Sequence, residues 1–296
     1  MTADDLARNR DNFCYRHPDR QSFVLCQRCL RTICPECQTP AAVGVICPEC
    51  LRDQQKAASP AQRKAERRWS RPRALTVADS RPVVTYAIIG ITVLVYLLTV
   101  IPGIGGAIED AFAFYAPLIY PGLTGYFEPW RLLTAALVHG GFVHLALNML
   151  ALWMIGRSLE PLLGRWRFLT LYVLSALGGS VAVALLSFTT PVVGASGAIF
   201  GLFGALLVIG RHIGANIGGI AIVLGINLVI GFLPGFNISW QAHVGGLLVG
   251  LLVAFIFTRT RAPRQRALQI ALLVAVTAVL VALLFVPALF PALVLR

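Results

Sequence analysis

From Val83 onward the chain is a succession of seven apolar runs, at 83–102, 131–156, 166–188, 196–210, 216–235, 241–258 and 267–290. Each lies near the ~20 residues that an α-helix needs to cross the hydrocarbon core of a bilayer. With 57% hydrophobic and 13% charged residues over 296 positions, a soluble fold could not hide so much apolar surface. The expected class is an all-α polytopic membrane protein.

A formal net charge of +12 is compatible with a nucleic-acid partner, but the distribution of the charges argues against one. Basic residues crowd the first eighty or so positions, then recur in clusters between alternate apolar runs: Arg157, Arg165 and Arg167; Arg211; Arg259, Arg261, Arg264 and Arg266. The intervening connections hold Glu109, Asp110 and Glu128 and almost no positive charge apart from Arg131. Positive loops stay on the cytoplasmic side, which predicts a multi-pass protein of the cell membrane, N-terminus cytoplasmic and C-terminus outside. The polar start argues against a signal peptide.

All seven cysteines lie between Cys14 and Cys50. With one histidine they form four ligand pairs: Cys14 and His17, Cys26 and Cys29, Cys34 and Cys37, Cys47 and Cys50. Eight ligands make two closed, structural, four-coordinate zinc sites, with no open position for catalysis. Thiolate ligation fits a reducing, cytosolic compartment. Only four residues separate Cys29 from Cys34, so joining the second pair to the third leaves a tight loop. A cross-brace, first with third and second with fourth, relieves it. Residues 1–52 are thus read as a zinc-binding module that binds a cytosolic protein or regulates the rest of the chain. Residues 53–80 are read as a basic flexible linker, with a weaker reading of attraction to the anionic inner leaflet.

The chemistry sits at the outer ends of the apolar runs. Ser196, in Gly194-Ala195-Ser196-Gly197, opens the fourth run, and His243 opens the sixth. His139 and His144 sit at the outer end of the second, with Asn148 one helical turn beyond His144. A serine hydroxyl needs a base to act as a nucleophile, and His243 can be that base. No Asp or Glu follows Glu160, so the expectation is a Ser-His dyad and not a triad. His144, the Asn148 amide and the backbone N–H groups opening the fourth helix are candidate oxyanion donors; Gly194 and Gly197 flank them. Gly246 and Gly250 share a helix face with His243, and Gly197, Gly201 and Gly204 form a stripe on the fourth run. Such faces let membrane helices approach closely. Each signal alone has a plainer reading: a packing motif, a bridging histidine, an interhelical hydrogen-bond cluster. Their coincidence is what points to catalysis.

These strings, with Trp130-Arg131, resemble the rhomboid family of intramembrane serine proteases over roughly residues 83–260. The resemblance implies a six-helix catalytic bundle over 81–260, with Ser196 as nucleophile, His243 as general base, and His144 and Asn148 assisting the oxyanion. It implies that the 103–129 loop lies partly in the outer leaflet, steadied by Trp130-Arg131, and that Phe200 stacks on the catalytic histidine. Core packing is an equally good reading of Phe200. No catalytic cofactor is implied. The implied substrates are single-pass membrane proteins, cleaved at or near the outer end of their helix. Residues 261–296 resemble the basic loop and extra C-terminal helix of some members. The N-terminal spacing resembles a B-box-type zinc finger, with Cys47 and Cys50 where histidines are usual, which leaves the pairing open. The alternative from another class is a catalytically inactive rhomboid-like binder of membrane helices, acting as a scaffold. A transporter is disfavoured, because the inner halves of the runs are almost purely apolar.

Overall fold

The computed structural model describes residues 9–40, 44–57, 81–214, 217–231 and 238–290. Most of the expected linker, 58–80, and part of the fifth run lie outside them. The chain divides into two compact units, Met1–Thr76 and Val77–Arg296.

In the first unit, β1 (Phe13–Cys14) pairs antiparallel with β2 (His17–Gln21), and β3 (Thr39–Pro40) with β4 (Val45–Ile46). Helix α1 (Pro48–Ala57) follows. The buried centre consists of the cysteines with little beyond Ile33 and Ile46. So few aliphatic side chains cannot hold a domain of this size; what clusters at its centre is ligand chemistry.

The second unit is an all-α membrane bundle. Its long helices are α2 (Val83–Thr99), α3 (Phe142–Leu163), α4 (Arg165–Leu186), α5 (Ser196–Ile213), α6 (Gly218–Ile230), α7 (Trp240–Arg259) and α8 (Arg266–Leu283). Helices α3, α4, α5, α7 and the stretch Pro263–Leu289 that contains α8 are long and apolar enough to cross a membrane; α2 and α6 are shorter apolar helices of 17 and 13 residues. Leu97, Leu147, Ile222 and Val274 point outward, as a lipid-facing surface requires, while Leu152, Phe168, Leu171, Leu202 and Val253 fill the centre. Helix α5 packs chiefly on α7 and α4, and α8 lies against α4 and α7.

The second apolar run departs from a single helix starting at residue 131. Arg131–Thr134 forms one short helical turn, Ala135–Leu137 a 3-10 turn, and the membrane helix starts only at Phe142. Val138 is extended and Gly140-Gly141 breaks the path. His139 therefore sits in the break, not on the helix with His144.

One acidic side chain organises the opposite end. Helix α2 starts after Pro82, which offers no side-chain cap. The Glu160 carboxylate, from the last turns of α3, accepts hydrogen bonds from Val84 N–H (2.9 Å), Thr85 N–H (2.8 Å) and Thr85 Oγ1 (2.7 Å). A negative group at a helix N-terminus satisfies orphan donors and suits the helix dipole. That explains how a carboxylate only 2% exposed is tolerated here.

Candidate active site and metal centres

Ser196 is the first residue of α5 and is half-buried. One turn further in, Phe200 stacks on the His243 ring, centroids 4.0 Å apart and planes 10° apart. Residues i and i+4 share a helix face, so Ser196 lies above Phe200 on the side of α5 that meets α7 and His243. Glycines make this meeting possible. A Cβ on Gly246 would overlap the Gly197 backbone, and one on Gly250 the Gly201 backbone. At this crossing the two main chains touch, which only glycine allows. His243 is buried, and its Nδ1 has no hydrogen-bond partner among the described residues. Among the described residues no acidic side chain pairs with it.

His144 rests against Gly194. A Cβ at Gly194 would stand 2.7 Å from both Cε1 and Nε2 of the His144 ring, and Gly194 has φ +117°, a conformation other residues rarely adopt. The ring of His139 meets that of His144 edge-on, with centroids 5.0 Å apart. His139 Nε2 accepts from the Ala195 N–H at 3.4 Å, so this donor beside the serine is already engaged. Asn148 is buried, and its Nδ2 donates to the His144 carbonyl at 2.9 Å. An amide carries two N–H donors, so one remains for other chemistry.

The segment before Ser196 is tied down from two sides. Gly194 N–H donates to Ala135 O (2.9 Å), and Phe114 and Val192 exchange backbone bonds of 2.9 and 2.8 Å. The loop that carries Phe114 is in turn held by Arg131, which donates to Glu128 Oε2, to Asp110 O, and to Ala113 O at 2.8 Å. Trp130 Nε1 donates to Ala111 O at 3.1 Å. A cleft of about 30 Å³ lies beside the segment that leads into α5, lined by Gly194, Gly197, Ala242, Gly179, Ser180 and Phe114. It has room for about one water.

In the first unit the ligand pairs meet as first with third and second with fourth. Cys14, His17, Cys34 and Cys37 form one cluster, and Cys26, Cys29, Cys47 and Cys50 the other, each with its ligand atoms within 4.8 Å of one another. His17 Nδ1 lies 3.8, 3.3 and 3.4 Å from the sulfurs of Cys14, Cys34 and Cys37, and Cys29 Sγ lies 3.8 Å from Cys47 Sγ. Tetrahedral zinc with Zn–S near 2.3 Å needs sulfurs about 3.8 Å apart, so both clusters fit the ion. The thiols are electrostatically divided. Burial opposes ionisation of Cys14 and Cys26, but hydrogen bonds from surrounding backbone groups outweigh it and bring each down to about 6. Burial, then the neighbouring thiols, push Cys37 up to about 11 and Cys50 up to about 12. Arg31 donates to Cys29 Sγ at 3.4 Å, a cation beside the all-cysteine cluster.

Comparison with known proteins bears on the bundle. A model of the rhomboid domain matches residues 126–260, a span from the Trp130-Arg131 loop to the end of α7. The chain is 38% identical over 204 residues to the rhomboid protease GluP of Bacillus subtilis, covering 65% of this chain and 37% of GluP. It is 41% identical over 136 residues to RHOMBOID-like protein 4 of Arabidopsis thaliana, covering 44% of this chain and 34% of that protein. It is 37% identical over 145 residues to YdcA of Bacillus subtilis and covers 71% of YdcA's length. The chain belongs to the rhomboid family. It spans well under half the length of GluP and of RHOMBOID-like protein 4.

Within the rhomboid bundle, sequence reasoning passed over several structural residues. Glu160 is one; its signal was a lone carboxylate in the last turns of an apolar helix. Others fasten α8. Arg167 Nε donates to Gln269 Oε1 (3.0 Å), while Gln269 Nε2 donates to Thr260 O (3.0 Å) and Oγ1 (2.7 Å). At the other end of α8, Tyr120 Oη donates to Leu284 O at 2.7 Å. A buried glutamine in the first turn of an apolar run was the readable hint for the first of these.

Proposed function

We propose that this rhomboid protein is an intramembrane serine endopeptidase acting on single-pass transmembrane substrates through a Ser196-His243 dyad. The observation that carries the reading is the Phe200–His243 stack at a crossing where only glycine backbones fit, because it brings the start of α5 over the base. His243 takes the Ser196 Oγ proton as Oγ attacks the scissile carbonyl carbon. The negative charge that develops on the carbonyl oxygen is met by His144, by the remaining Asn148 N–H, and by the Ser196 and Gly197 N–H groups at the positive end of α5. His243 then returns the proton to the leaving amine, and the C–N bond breaks. Water activated by the same imidazole hydrolyses the acyl-serine. The partnerless Nδ1 of His243 favours a dyad over a triad.

A substrate helix must unwind before its peptide bond is accessible, so cleavage falls near the outer end of that helix, where Ser196 lies in the topology set by the basic loops. In that topology the N-terminus is cytoplasmic, the C-terminus is outside, and the bundle lies in the cell membrane. The functional division is a module over 1–52 carrying two structural zinc ions, a linker over 53–80, the catalytic bundle over 81–260 and a further helix over 261–296. Catalysis itself uses no cofactor.

The test is cleavage of a generic single-pass substrate by purified protein in detergent, wild type beside Ser196→Ala. Cleavage by wild type alone supports the reading. Cleavage by both overturns the nucleophile. Cleavage by neither, with no labelling of Ser196 by a fluorophosphonate, favours an inactive helix-binding scaffold.

A further inference from the structure

The described part of the zinc module exposes four large apolar side chains, and all four fall in one stretch of eight residues: Phe23 (68% exposed), Val24, Leu25 and Leu30 (69%). They lie on a single hairpin. Ile33 N–H donates to Val24 O, Leu25 bridges antiparallel to Thr32, and Cys26 N–H donates to Arg31 O. Leu30 caps its tip at φ +58°, the one positive φ outside glycine among the described residues. Asparagine or glycine takes that conformation readily and a leucine does not, so the tip keeps an apolar side chain against its backbone preference. In the bundle, exposed aliphatics face lipid. In a small polar module, a concentrated patch of this kind marks a surface with a partner.

Charge and connection identify that partner. The hairpin from Gln21 to Pro35 carries no acidic residue and two exposed arginines, Arg28 and Arg31; Arg28 spends one N–H on the Cys50 carbonyl (3.1 Å) and Arg31 one on Cys29 Sγ (3.4 Å), and a guanidinium has five. The flanking Glu36 is paired with Arg20. The sequence that follows, 56–73, has seven basic residues and one acidic. Only residues 58–80 separate α1 from Arg81 at the start of the bundle, and a sequence of that length can span about 85 Å at most. Confinement near a surface raises effective concentration, so a modest apolar contact with electrostatic help suffices. We propose that the Phe23–Leu30 hairpin docks on the anionic face of the membrane that the bundle spans, its apolar side chains entering between headgroups and Arg28 and Arg31 meeting lipid phosphates. The proposal rests on the cytoplasmic placement of the module and on its two zinc sites, not on proteolysis.

Full-length protein in nanodiscs tests it, with phosphatidylcholine alone compared with discs containing about 30% phosphatidylglycerol. Both faces of a disc carry the same lipid, so the result does not depend on orientation. Amide hydrogen exchange in peptides spanning 22–33 should slow several-fold in the anionic discs. The slowing should vanish in Phe23→Glu/Leu30→Glu, whose exposed positions leave the metal clusters untouched. Zinc content measured on the same samples reads the module's integrity separately, so metal loss would count against the zinc reading and would not mimic failed docking. Equal exchange in both lipids with zinc retained overturns the proposal and leaves the hairpin to a protein partner.

Discussion

The imidazole of His243 lies parallel to the ring of Phe200, with 4.0 Å between centroids. Imidazole against benzene is a dispersion contact that fixes the plane of the His243 ring without consuming either nitrogen. An aromatic pair of this kind contributes about 0.5–1.5 kcal/mol, and a misplaced catalytic group can cost up to about 10²-fold in rate. Phe200→Ala should lower kcat by between about tenfold and about 10²-fold with a smaller change in KM, and Phe200→Trp should keep most of the activity. Steady-state kinetics on a single-pass substrate measure the split. Unchanged kcat in Phe200→Ala would reduce the ring to simple packing.

Gly250 meets the backbone of Gly201, whereas Gly90 on α2 has nothing within 4 Å of where its Cβ would be. The pair isolates the effect of one methyl group. Gly250→Ala should force α5 and α7 apart and cost on the order of 1–3 kcal/mol in stability, with a large loss of activity because Ser196 and His243 ride on opposite sides of that crossing. Gly90→Ala should leave activity unchanged and should not destabilise the fold, since alanine is the better helix former by about 0.5–1 kcal/mol. Thermal unfolding in detergent and the cleavage assay read both effects. Equal behaviour of the two variants would remove the close crossing as the determinant of the site.

Glu160 sits about 24 Å along α3 from His144, by the helical rise between them. Removing its carboxylate orphans three donors at the start of α2, at about 1 kcal/mol or more each. Glu160→Ala should therefore lower the midpoint of unfolding clearly, while the specific activity of the folded protein at low temperature stays near that of wild type. A selective fall in kcat at unchanged stability would mean that this end of the bundle communicates with the site.

Much of the bundle is legible in the sequence because a membrane imposes length. Runs near 20 residues had to be helices, and only their ends moved. The exception is instructive: apolarity continues through Val138 and the Gly140-Gly141 pair, so composition hid the break that the backbone makes there. Ser196, His243 and the small-residue faces were readable because each is chemically conspicuous at membrane depth. Partners joined across long sequence separations were not readable. Nothing local in Tyr120 announces Leu284, and nothing in Phe114 announces Val192. Such pairs follow from how helices pack, which periodicity alone does not specify.

The zinc module offers a test of connectivity that needs no structure. In the cross-braced arrangement Cys14 and Cys34 belong to one cluster, and Cys14 and Cys26 to different ones. Cys14→Ser/Cys34→Ser should then leave one zinc per chain, and Cys14→Ser/Cys26→Ser should leave none, as measured by metal analysis of purified full-length protein. Consecutive pairing of the ligand motifs predicts the reverse. Because the module has little aliphatic core, metal binding and folding are one process, so the second variant should also lose exchange protection across 13–50. The bundle has its own core of apolar side chains, and its helices should stay protected in both variants. Loss of protection in α5 or α7 on zinc removal would instead make the module a structural part of the bundle.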